Sequence, residues 1–328
     1  MVLSELKTYN IKIVDKFWLK TNEIKYDLYQ PVNQSIFKKV KNFYSSESCL
    51  ILVKRNQETI GHVICFLNHR KKQLEFGFFG TNNHTNENIA ITLLEQIEEL
   101  SKKWNVERII GPVNTPAVIY LYGFDIEKQK KYLDLFRLYD YMPRHQYNIY
   151  NIPIQNWGRL RKPHGNTHLC SGDIEQEDLK NKLRVTIEKV IGEITNDLII
   201  PIKLMDIMFD VVNEYGHPEF IQIALNELSD IVAYGILIPD FNLPHIMNNG
   251  KSDQIRIGSG GMVKNHKKKG YGFYHMHYFF DACKRYNIKR FLLGQSDINN
   301  TGITKLVNKL DGGIEISHII LQKELKKT

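Results

Sequence analysis

The sequence predicts a mixed α/β (α+β) protein built as two tandem domains, and three observations carry that prediction. The chain has 328 residues, too many for one small core and suited to two domains of ordinary size. Hydrophobic residues make up 42% and charged residues 24%, which are values of a globular chain without a disorder signature. Each half runs through three apolar, β-rich stretches, then an amphipathic helix, then a further strand.

In the first half, "CLILVKR" and "TIGHVICFLNH" read as a hairpin around the short polar turn "NQE". A third run, "LEFGFFG", follows the basic turn "RKKQ". In "NENIAITLLEQIEELSKKWN", residues Ala90, Leu93, Leu94, Ile97, Leu100 and Trp104 recur at helical spacing and predict one buried face. "ERIIGPVN" is the next strand. Phe76, Phe78 and Phe79 of "FGFFG" read as core aromatics, with the lining of an apolar cavity as the alternative.

The second half repeats this order. "FIQIALNEL" and "IVAYGILIPDFN" form a hairpin around "SD", and "QIRIGSGGMV" is the third strand. A helix follows with Phe273, Met276, Phe280 and Cys283 on one face, then the strands "IKRFLLGQS" and "GIEISHIILQKEL". Residues 125–172 carry polar, basic and proline-containing stretches that suit an inter-domain crossing, and two helices are expected within 173–215. The expected domains are 1–150 and 151–328, and the shared plan suggests a duplication.

No stretch approaches eighteen consecutive apolar residues, and the first residues lack the order of a signal peptide. The expectation is a cytoplasmic protein with no membrane partner. Cys49, Cys65, Cys170 and Cys283 lie far apart without paired spacing, which argues against a metal site or a disulfide framework and for isolated reduced thiols. The formal net charge of +8 suits a polyanionic partner, either nucleic acid or a phosphorylated cofactor.

The segment "KNHKKKGYGF" (264–273) sharpens that choice. It stands between a strand and a helix, where unpaired backbone N–H groups and a partial positive charge attract anions. Gly270 and Gly272 allow close backbone approach, and the flanking lysines add charge. The spacing matches neither a P-loop nor a dinucleotide fingerprint. The first half has "GTNNHTNEN" in the corresponding place, without lysine or arginine. There Asn83, Thr85 and Asn86 read as helix-capping residues.

The pattern Lys267-x-x-Gly270-x-Gly272 resembles the pyrophosphate loop of the GNAT N-acetyltransferase superfamily, which links that fold's fourth strand to its third helix. "GFFG" (Gly77–Gly80), "GPVN" (Gly111–Asn114), "IPDFN", "QSDINN" and "LVNKLDGG" resemble, in order, motifs of double-GNAT proteins. The resemblance implies two GNAT-like domains, each a mixed, mostly antiparallel twisted sheet flanked by helices. It implies acetyl-CoA or another acyl-CoA as cofactor, held in the C-terminal domain alone.

Met262 and Val263 would meet the pantetheine arm, and Asn300 would contact it from beyond the fifth strand. Lys267, Lys268, Lys269, Gly270, Tyr271, Gly272 and Phe273 would wrap the phosphates. The chain departs from the family at Val307, where many relatives carry a tyrosine that acts as general acid. Asp240, Ser296 and Asp297 are the candidate catalytic residues, while His245, His275 and His277 suit packing or surface positions. The implied activity is direct transfer of an acyl group to the amine of a small molecule or peptide. The alternatives are an aminoacyl transferase that uses charged tRNA, which the basic stretch "RLRKPHGNTH" favours, and a degenerate binding protein without catalysis.

Overall fold

The Asn56–Gln57 turn has positive φ at both residues, 49° and 67°, the geometry that matches the twist of a tight hairpin. It joins β2 (Ser48–Arg55) to β3 (Glu58–Asn68), as the "NQE" signal predicts. The register sets Cys49 opposite Cys65, so two thiols that are distant in sequence face each other in the core. Both are free, and burial together with the Cys49 neighbour pushes the Cys65 thiol well above its ordinary value.

A computed structural model of the chain describes residues 10–15, 48–82, 87–114, 121–159, 168–171, 177–194, 202–240, 251–266 and 271–325. They fall into two units. The first draws on described residues 10–114, 121–146 and 317–325. Its sheet runs β1 (Asn10–Asp15), β2, β3, β4 (Gln73–Thr81), β5 (Arg108–Gly111) and β13 (Gly313–Glu324), with the short β6 (Phe124–Asp125) also on β13. All these pairs are antiparallel except β4 with β5.

Helix α1 (Glu87–Lys103) buries Ile89, Ala90, Leu93, Leu94, Ile97 and Leu100, the face its spacing predicts. Trp104 packs against the same core, half-buried. Phe76 and Phe79 are core residues: Phe76 stacks on Phe136 of α2 (Lys130–Leu138) at 5.4 Å, and Phe79 meets Tyr132 edge-on at 5.2 Å.

The second unit draws on described residues 147–316. Its sheet runs β7 (Met142–Asn151, through residues 147–151), β12 (Arg290–Asp297), β11 (Gln254–Met262), β10 (Ile231–Pro239), β9 (Ile221–Leu225) and β8 (His168–Ser171). Again one pair is parallel, β11 with β12, and the rest are antiparallel. The core gathers Leu183, Ile187 and Val190 of α3 (Glu177–Ile194), Met205, Met208, Phe209 and Val212 of α4 (Ile202–Tyr215), and Phe279, Phe280 and Cys283 of α5 (Tyr271–Arg285). Leu306, Val307 and Leu310, on and beside α6 (Thr301–Lys309), complete it.

The units do not follow a single cut near residue 150. The last strand, a second-half strand by sequence order, pairs with β5 through Leu321↔Gly111 and Glu324↔Arg108 and so completes the first sheet. The strand beginning at Met142, inside the expected crossing, pairs with β12 in the second sheet through Leu292↔Asn151 and Asp297↔Tyr147. Each half of the sequence therefore supplies the outer neighbour of the other half's fifth strand. Among the described residues no helix is long and apolar enough to cross a membrane.

Candidate active site

The two parallel pairs are built alike and end alike. β4 and β5 pair at Gln73↔Arg108, Leu74↔Ile109 and Glu75↔Ile110. β11 and β12 pair at Gln254↔Arg290, Ile255↔Phe291 and Arg256↔Leu292. Beyond those positions the register stops, although β11 continues to Met262 and β12 to Asp297. Each unit thus contains a wedge between two parallel strands. Each wedge has a bulge on the first of its two strands, on β4 between Gly77 and Gly80 opposite His62–Ile64 and on β11 between Ile257 and Ser259 opposite Ile236–Leu237.

The wedges differ in what fills them. In the first unit the Val113 N–H donates to the Phe76 carbonyl at 2.6 Å. The fully buried Asn114 accepts from the Phe78 N–H at 2.7 Å and donates through Nδ2 to the Leu121 carbonyl. A Cβ on Gly77 would lie 2.3 Å from the Val113 carbonyl oxygen, so glycine is what lets this segment cross so close to β4. The wedge of the first unit is bridged by its own chain.

Setting "GPVN" (Gly111–Asn114) against "GQSD" (Gly294–Asp297) in the sequence matches Asp297 of the second unit to Asn114 of the first. It does not cross. Its Oδ1 accepts from the Asn299 N–H at 2.8 Å, and its carbonyl accepts from the Asn300 N–H at 2.9 Å, so it caps its own turn. Along β11 the Val263 N–H donates to the Val232 carbonyl at 3.0 Å. In an antiparallel ladder alternate residues face opposite neighbours, so Gly260 and Met262 turn their backbone groups away from β10, toward the wedge. Of the two expected backbone contacts, Met262 faces the wedge and Val263 is taken up by β10.

Ser296 lies on β12 past the end of the parallel pairing and is 8% exposed, and its Oγ has no hydrogen-bond partner among the described residues. Asn300 is the N-cap of α6, accepting from the Ile303 N–H at 3.2 Å. Asp240 is buried and sits elsewhere: its N–H donates to the Gln254 carbonyl, at the paired end of β11 rather than the open end. Ser296 and Asp297 thus lie on β12 past its last parallel pair, Asn300 follows them, Met262 ends β11, and Asp240 stands beside the paired end of β11.

Lys267, Lys268, Lys269, Gly270 and His245 lie outside the described residues, as do Asn83, Thr85 and Asn86. Tyr271, Gly272 and Phe273 open α5, directly after that segment. His277, farther along α5, has Nε2 3.7 Å from the Asp281 carboxylate one turn on, in keeping with a packing position. Among the described residues no group of His, Cys, Asp and Glu could hold a metal ion.

Sequence reasoning missed several groups here. The Tyr234 hydroxyl lies 3.1 Å from the Ser259 hydroxyl beside the β11 bulge, and burial pushes its phenol up to about 12, keeping it neutral. Asn148 and Tyr150 line β7 beside Ser296. The signal was present in "YNIYN", a run with strand-like alternation inside the stretch taken as a crossing.

The sequence matches no protein-family model, and no curated protein matches it. The fold, by contrast, has close parallels among solved structures. A GCN5-related N-acetyltransferase from Sphaerobacter thermophilus superposes with TM-score 0.60 at 11% identity, over 97% of this chain and 96% of that one. A tandem GNAT protein from the clavulanic acid biosynthesis pathway gives 0.65 at 8% identity, over 98% and 100%. The glucosamine N-acetyltransferase region of a fungal multi-domain β-N-acetylglucosaminidase gives 0.66 at 10% identity, over 97% of this chain but 38% of that protein. At these identities the likeness establishes the fold.

Proposed function

We propose that this chain, whose fold is that of the tandem GNAT proteins, is an acyl-CoA-dependent N-acyltransferase with one active site, in its second unit. The observation that carries this reading is the contrast between the wedges. One is bridged by Asn114, whereas the other turns the backbone groups of Gly260 and Met262 toward the gap and leaves the Ser296 hydroxyl unpartnered among the described residues. An extended amide-bearing arm such as pantetheine suits such an edge, because it can continue the ladder. In the sequence the basic-glycine segment stands between the end of β11 and the start of α5, and the N-terminus of a helix favours a pyrophosphate.

Bound acyl-CoA supplies an activated thioester carbonyl. The chain's part is to place that carbonyl at the β11 edge, where a backbone N–H can stabilise the developing oxyanion. Holding carbonyl and acceptor together removes much of the entropic barrier. The acceptor is the amine of a small molecule or peptide. That two of the superposed structures are N-acetyltransferases supports the choice of nitrogen.

A thiol-release screen with acetyl-CoA and longer acyl-CoAs across a panel of amines tests this reading. Amine-dependent release of CoA that is lost on Gly270→Asp is the expected result. Absence of release with every pair, together with no acyl-CoA binding, would overturn it.

A further inference from the structure

Ser296 owes its orientation to an irregularity in β12. Leu293 pairs with Tyr150 and Ser296 with Asn148, so three steps along β12 match two along β7. The extra residue lies at Gly294–Gln295. Gly294 has φ +126°, and a Cβ there would lie 2.6 Å from the Asn148 carbonyl oxygen. Only glycine permits both the backbone angle and the approach. Without this bulge Ser296 would point opposite to Leu293. With it, Ser296 shares a face with Asn148 and Tyr150.

That face is the buried one. Tyr150 belongs to the same core cluster as Val307, and Asn148 is 7% exposed and donates through Nδ2 to the Tyr150 hydroxyl at 3.3 Å. A Cβ on Gly312 would lie 2.8 Å from Ile152 and 3.0 Å from Val307, which brings α6 over the β7 face that carries Tyr150. A buried hydroxyl without a partner costs about 1–3 kcal/mol, and an alanine would avoid that cost. The hydroxyl is retained on β12 four residues past Leu292, the last to pair with β11.

The geometry points to Ser296 as the hydrogen-bond donor to the departing CoA sulfur, with Asn148 and Tyr150 as positioning residues on β7. This rests on the acyl-CoA reading above. In the step concerned the acceptor nitrogen bonds to the carbonyl carbon, and the C–S bond breaks with its electron pair passing to sulfur. The nitrogen's surplus proton passes to solvent. Ser296 Oγ–H stabilises the thiolate without losing its own proton, and the thiolate is afterwards protonated from solvent.

The test needs no acceptor. The full chain is titrated with CoA at pH 6.5 and pH 10, and with desulfo-CoA, which has no sulfur. Ser296→Ala is expected to weaken CoA binding at pH 10, where the thiol is largely ionised, about tenfold. It should leave CoA at pH 6.5 and desulfo-CoA unchanged. Ser296→Thr should restore the pH 10 affinity, and Asn148→Leu should lower it in the same sense by a smaller factor. Ser296→Ala should also leave the ligand-free protein at least as stable as the parent. Equal pH 10 affinities for parent and Ser296→Ala would overturn this inference and leave the acyl-CoA reading standing. Failure of the parent to bind any of the three would overturn both.

Discussion

Asn114 accepts a hydrogen bond from the Phe78 N–H at 2.7 Å and thereby ties β4 to the segment that leaves β5. Asp297, its counterpart in the second unit, bonds within its own turn instead. One residue position thus separates a wedge bridged by its own chain from one that is not bridged there among the described residues.

Asn114→Ala should strand two buried backbone groups, the Phe78 N–H and the Leu121 carbonyl. At about 1–3 kcal/mol for each unsatisfied group, the loss should total about 2–6 kcal/mol. Urea unfolding measures it. Acyl-CoA affinity per folded molecule should stay at the parent value, because the proposed site lies in the other unit. A selective loss of affinity without loss of stability would place a ligand in the first wedge.

A fragment of residues 1–150 should not fold by itself. It lacks the strand whose Ile319 and Leu321 enter the first core and whose backbone pairs with β5 from Arg108 to Gly111. Burying those two side chains contributes about 1.5–3 kcal/mol each, in addition to covering an open strand edge. Circular dichroism melting of the fragment should show no cooperative transition. A sharp melt with dispersed amide resonances would contradict the exchanged-strand architecture.

Gly294→Ala should damage the second unit more than Gly312→Ala. Alanine at 294 meets a backbone oxygen at 2.6 Å and must adopt φ +126°, whereas at 312 the nearest atoms belong to side chains of Ile152 and Val307. Strain of this kind costs on the order of 1–3 kcal/mol. Paired thermal melts give the comparison, and the reverse order would remove the case for the β12 bulge.

Stability should fall on mild acidification partly through His217. Its ring stacks on Tyr286 with centroids 3.5 Å apart, and burial, then Lys251, holds its pKa below the ordinary 6.5, while Glu219 opposes this more weakly. The folded state therefore favours neutral histidine. That contribution is complete above pH about 6.5 and is lost as pH falls through the lower folded value. His217→Phe keeps the stacking and should flatten the decline measured by denaturant titration between pH 7.5 and 5. An unchanged slope would assign the decline to other groups.

The strands and helices were legible wherever a local pattern decides them. The face of α1 follows from helical spacing, and the first hairpin follows from its turn. The meeting of Cys49 with Cys65 was not legible: a turn centred on Asn56–Gln57 alone would set Cys49 opposite Ile64, and the register shift between Val53 and Lys54 moves it to Cys65. The exchange of β7 and β13 was not legible, because no local preference encodes which distant edge a strand will join. For the same reason Asn148 and Tyr150 passed unnoticed: their importance comes from standing opposite β12. The open wedge follows from a register that ends at Arg256 and Leu292, and register is a property of two strands together.

The central claim is one acyl-CoA site per chain, in the second unit. Isothermal titration of the full chain with acetyl-CoA and a longer acyl-CoA tests it most directly, comparing the parent with a Lys267→Ala, Gly270→Asp double variant. The account predicts a stoichiometry of about one per chain in the parent and loss of binding in the variant, with both proteins melting alike. Two sites per chain, no binding in the parent, or undiminished binding in the variant would contradict it.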